Sequence, residues 1–231
     1  MTRILQAARL HLVHPAVMLG VPWLVVGASF ALTLATWHLT PAGDSEGGFT
    51  GGVAALYVTV LVVFVQAVTQ LLPLAMGLGL SRRSFFLGTG LAAAIQALLY
   101  GVALSVLVAI ENATDGWGAG LEYFAPGILD VGNPVGQVFA SGVPILAFAS
   151  VGVGMGVVHQ RWGPAGTWGL LLGSVVALGA AGALIGWLDA WAEVGAWFGD
   201  RSAATLTVGL PLALALVVGL AAFPGIRRVV P

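Results

Sequence analysis

Six apolar stretches, each long enough to cross a bilayer, constrain this chain more than any single residue does. A hydrocarbon core of about 30 Å needs about 20 apolar residues of helix. The stretches run from about Ala16 to Leu39, Val53 to Leu80, Phe86 to Ile110, Pro134 to Val158, Pro164 to Leu188 and Ala204 to Phe223. Only 7% of the 231 residues are charged, against about 25% in an average soluble domain. So few charges cannot cover a water-facing surface, and the mean hydropathy of +1.02 points the same way. The sequence predicts an all-α polytopic membrane protein with six transmembrane helices. The connections are too short to hold a soluble domain, so residues 1–231 form a single membrane domain. The first stretch is too long and unbroken for a cleaved signal peptide and reads as a retained span.

Charge placement sets the orientation. Arg3 and Arg9 precede the first span, Arg82 and Arg83 separate the second and third, Arg161 separates the fourth and fifth, and Arg227 and Arg228 follow the sixth. Basic residues mark the cytoplasmic side, so both termini are expected there. The acidic residues Asp44, Glu46, Glu111, Asp115, Glu122, Asp130, Asp189, Glu193 and Asp200 fall in the opposite connections, with Arg201 the only basic residue among them. The second span, at about 42 Å of helix, exceeds the bilayer core. Either a kink near Pro73 or a strong tilt would accommodate it.

Two absences narrow the chemistry. Without cysteine there is no disulfide, thiolate metal site or cysteine nucleophile. Without lysine there is no phosphate-loop lysine and no Schiff base, so the chain carries no standard ATPase site and any ATP hydrolysis belongs to a partner. Ser141 and His159 superficially resemble an intramembrane protease pair. However, Phe139 stands where that motif needs glycine, and His159 ends a span. His11 and His14 lie three apart but lack a third ligand nearby in sequence, so they read as a polar helix start, with no metal expected.

Ion-coupled carriers usually keep an ionisable residue at mid-span, and this chain has none there. Gln66, Gln70 and Gln96 remain as embedded polar side chains. They either line a translocation path or, more simply, bond between helices. Glycines spaced four apart at Gly152 and Gly156, Gly169 and Gly173, and Gly182 and Gly186 permit close helix packing, within one bundle by default or at a dimer seam.

The segment Gly77 to Gly88, GLGLSRRSFFLG, places two arginines and two phenylalanines in a short connection, with Ser81 available to cap the next helix. The arginines serve either topology or docking. Ile4, Leu5, Ala8 and Leu12 share one helical face, so residues 1–14 can form an interfacial amphipathic helix or simply extend the first span.

An N-terminal interfacial helix, six spans and the basic-aromatic connection together resemble the membrane subunits of the ABC type-2 transporter permease family. The stretches Leu74–Glu111 and Gly152–Gly166 look like its small actinobacterial members. The resemblance implies a permease subunit of an ABC exporter in the plasma (inner) membrane. It would pair with a second permease subunit and an ATPase subunit that holds ATP and Mg. It also implies that Arg82, Arg83, Ser84, Phe85 and Phe86 dock on that ATPase, beside the N-terminal helix. Asp189 to Arg201, with Trp191 and Trp197, would be a short re-entrant helix, although an aromatic belt explains those tryptophans equally well. The chain is not expected to be an enzyme, and no nucleic-acid partner is expected. The competing readings are a non-transporting membrane anchor or assembly protein and an ion-coupled secondary carrier. Residues Glu111 to Asn133 are long enough for a surface helix.

Overall fold

The computed structural model describes residues 2–13, 15–40 and 48–227. His14, Asp44, Glu46 and Arg228, used above for metal and topology readings, lie outside them. Seven helices follow in order among the described residues: α1 (Thr2–Leu10), α2 (Ala16–Leu39), α3 (Ala54–Gly77), α4 (Arg82–Ala113), α5 (Pro134–Trp187), α6 (Trp191–Gly199) and α7 (Thr205–Arg227). Five of them, α2, α3, α4, α5 and α7, are long and apolar enough to cross a membrane, which makes the chain an all-α polytopic protein.

Helix α5 accounts for the difference between five long helices and six apolar stretches. It has 54 residues, and if straight it would run roughly 80 Å, far beyond any bilayer. It is broken at Gly163, where φ is 64° and ψ is −162°, a conformation essentially reserved for glycine. His159 Nδ1 and Thr167 Oγ1, eight residues apart, lie 3.0 Å from each other, whereas a straight helix would separate them by about 12 Å along its axis. The chain therefore turns back at Gly163, and we treat residues 134–162 and 164–187 as the first and second arms of α5.

Glycines set how the helices pack. The first arm crosses α3 at Gly152, where an added Cβ would sit 2.3 Å from the Leu61 carbonyl oxygen, and at Gly156, where it would meet Val68 at 2.7 Å. It crosses α4 where Gly101 and Gly142 face each other's backbone. The Gly152 and Gly156 pair therefore packs within the bundle, as the simpler reading had it. The second arm does not: Gly169, Gly173 and Gly182 meet nothing within 4 Å, and Trp168, Leu172, Val175 and Leu178 on the same arm are all exposed. Packing within one chain thus does not explain those glycines. Gly152→Ala is expected to destabilise the protein by roughly 1–3 kcal/mol, because backbone must move to admit the methyl group. Gly90→Ala on α4, where nothing lies within 4 Å, serves as the neutral control in a detergent melt.

Two boundaries differ from the hydropathy reading. Helix α3 stops at Gly77, and Gly79 adopts φ 76°. The Leu80 amide donates to Ala75 O and the Gly79 amide to Met76 O, both at 3.0 Å, a Schellman arrangement that needs a left-handed residue. The shorter helix, at roughly 36 Å, loses much of the excess length that suggested a kink. Helix α4 starts at Arg82 rather than Phe86, capped by Ser81, whose Oγ accepts from the Ser84 amide at 3.1 Å. Residues 82–86 are therefore the first turns of a helix, and the connection is only residues 78–81.

At the other end of α4 the chain does not form a surface helix. Asp115, Trp117 and four glycines between 116 and 127 take positive φ, folding the segment inward as a cap. Its residues Leu121–Glu122 (β2) pair in parallel with Gly48–Phe49 (β1).

Candidate functional site

One end of the bundle collects the basic residues. Helix α1 packs against the start of α4, where Gly88 leaves room for the Ala7 methyl and the α1 backbone. The Arg82 guanidinium donates to the Arg227 carbonyl oxygen at 3.3 Å, which brings the end of α7 to the same place. The α5 turn completes the cluster, since Gly225 of α7 packs against Val157. Arg3, Arg9, Arg82, Arg83, Arg161 and Arg227 thus share one end. Glu111 lies in the last turn of α4 at the far end, and Asp115, Glu122 and Asp130 follow it. Asp189, Glu193 and Asp200 lie between the second arm and α7, where the chain has returned to that far end.

The five residues of the basic-aromatic connection divide sharply. Arg83 is exposed, and Arg82 and Ser84 are half-buried. Phe85 is fully buried, stacked on the His11 ring with centroids 6.1 Å apart. Phe86 packs on Phe223 at 5.4 Å. Phe85 therefore offers no surface to a partner: it faces inward because α4 begins at Arg82, which turns that position towards α1 and α3.

His11 is the central side chain of this end, and it is buried where the sequence suggests a polar helix start. It lies in the turn after α1, is 3% exposed, and sits between Phe64 of α3 and Phe85 of α4. Thr89 Oγ1 donates to the Phe85 carbonyl at 3.0 Å, so it accepts from His11 Nε2–H, also at 3.0 Å. That leaves Nδ1 buried without a partner. Burial pushes the imidazole pKa down to about 4, because no solvent compensates the charged form.

The glutamines also separate. Gln96 is buried, and its Nε2 donates to the Met18 carbonyl at 3.1 Å. Pro22, four residues after Met18, has no N–H to return to that carbonyl. Pro73 likewise cannot return an N–H to Thr69 O, which instead accepts from Gln160 Nε2 at 2.7 Å. Each glutamine thus bonds a carbonyl that a proline leaves free, tying α4 to α2 and α5 to α3. Gln66 and Gln70 are exposed on α3 and border a small cavity of about 100 Å³ beside His11.

Outside this end, Glu111 is a buried carboxylate at the end of α4. It accepts from Trp117 Nε1 at 3.0 Å, from the Tyr123 amide at 3.1 Å and from the Phe124 amide at 3.2 Å. Phe30 of α2 packs against Trp117, Tyr123 and Phe124. The carboxylate therefore organises the cap. No family model, curated protein or solved structure matches this chain.

Proposed function

We propose that the chain is the membrane-spanning permease subunit of an ABC exporter, inserted in the plasma membrane with its basic end cytoplasmic and α5 counting as two of six crossings. What carries the reading is the construction of the basic end: a short N-terminal helix seated on the start of α4, whose first turn presents Arg82 and Arg83 directly after a four-residue connection. Arginines on a rigid helical turn suit charge-assisted contacts with a soluble ATPase, and Arg83, Arg82 and Ser84 form that contact. The unpaired second arm of α5, with its exposed glycines, offers a face on which a second permease subunit packs. Closure of the ATPase pair would push on α1 and α4 and shift the bundle between inward-open and outward-open states.

The test is co-purification with a soluble ATPase subunit. Arg83→Gln is expected to reduce the ATPase retained roughly tenfold while leaving insertion and thermal stability as in the native chain. Full transport in cells that lack every such ATPase would refute the proposal.

A further inference from the structure

A cavity of about 760 Å³ lies between the two arms of α5 and α7. That volume is within the range of small-molecule sites. Its walls are Val151, Met155, Leu170, Leu171, Val217 and Ala221, with Arg161 and Trp162 at the mouth. Measured along the helices from Arg161, it reaches roughly 15 Å into the bundle, the depth of one leaflet of hydrocarbon. The Arg161 guanidinium lies 4.4 Å from the Trp162 ring centroid and is exposed. The carboxylates of the described residues are at the opposite end of the bundle, so none of them pairs with Arg161 at this mouth.

We propose that this cavity is a binding site for an anionic phospholipid. Its acyl chains fill the apolar space, and its phosphate pairs with Arg161 beside the Trp162 anchor. An apolar slot one leaflet deep, with the Arg161 cation at its mouth, matches such a lipid along its whole length. The inference needs only that the chain is embedded in a bilayer and is independent of whether it transports anything.

The full chain, reconstituted in nanodiscs of mixed phosphatidylglycerol and phosphatidylcholine, is extracted and analysed by native mass spectrometry. Phosphatidylglycerol is expected to be retained preferentially. Arg161→Gln should lower its retention roughly fivefold, the effect of one basic side chain at a membrane surface. Arg161→Lys, which keeps the charge, should stay within about twofold of native. Ala221→Phe, which fills the cavity from an exposed position, should displace the lipid with the arginine intact. Equal retention of the two lipids, an unchanged Arg161→Gln, or an unchanged Ala221→Phe would overturn the proposal. So would crosslinks from Ser174→Cys that reach a second copy of the chain instead of lipid.

Discussion

Glu111→Ala detaches the cap from the bundle and lowers stability by roughly 3–5 kcal/mol. The carboxylate accepts from one indole and two backbone N–H groups, and Tyr123 and Phe124 are themselves buried. Removing it leaves those amides desolvated and unpaired, at about 1–3 kcal/mol each. The cap is also held under strain, because Asp115 and Trp117 adopt left-handed conformations, φ 52° and 61°, that cost non-glycine residues energy. Once the carboxylate is gone, that strain favours release. Hydrogen exchange should show amides 121–125 losing protection while those of α3 and α4 keep theirs. Glu111→Gln retains one acceptor oxygen but brings its NH₂ against the same donors, so it should fall between native and alanine. A native melt with protected amides in Glu111→Ala would remove this carboxylate from its organising role.

The membrane helices were legible because burying twenty apolar residues against lipid overrides local detail. The turn within α5 was marked by Gly163 and Pro164. Ser81 read correctly as a cap, since its chemistry is local. Hydropathy puts the start of α4 four residues late, because Arg82 and Arg83 lower it without breaking the helix, whose backbone bonds continue into the interface. The cap was illegible for a different reason: it depends on a carboxylate bonding amides a dozen residues away and on left-handed conformations at Asp115 and Trp117 that their residue types do not announce. The glutamine and proline partnerships leave a trace in sequence, a proline four residues after the accepting carbonyl, but which glutamine serves which carbonyl requires the packing. Gln160, the partner of Thr69, has no spacing that marks it, whereas Gln66 and Gln70, in the same stretch of α3 as Thr69, stand four apart.

His11 is the clearest case of a role that sequence could not supply, since its partner Thr89 is 78 positions away, and it yields the second large effect. Acidification should undock α1. With α1 seated, the pKa of His11 is held down to about 4 by burial. With α1 released, it returns to about 6.5. Above pH 6.5 both states are neutral and docking is unaffected. As pH falls from 6.5 towards 4 the released state takes up a proton that the docked state refuses, so docking weakens by about 1.4 kcal/mol per unit, or about 3 kcal/mol in all. Below pH 4 both states are charged and the loss stops growing. The side chains around the imidazole are Phe64, Gln66 and Gln70 from α3, Phe85, Thr89 and Gln96 from α4, and Met18 from α2, with Arg9 on its own segment. None is a carboxylate that could stabilise the cation, and the proton would land on Nδ1, which has no acceptor. Because the chain lacks cysteine, Ala7→Cys, at a position fully buried against Gly88 while α1 is seated, gives a single probe, and its labelling rate should rise by about two orders of magnitude between pH 6.5 and 4 after correction for thiol reactivity. His11→Gln keeps a donor for Thr89 but cannot titrate, so its corrected labelling should be flat with pH. A native chain that labels equally at both pH values, or a glutamine variant that retains the native pH profile, would show that His11 does not govern the seating of α1.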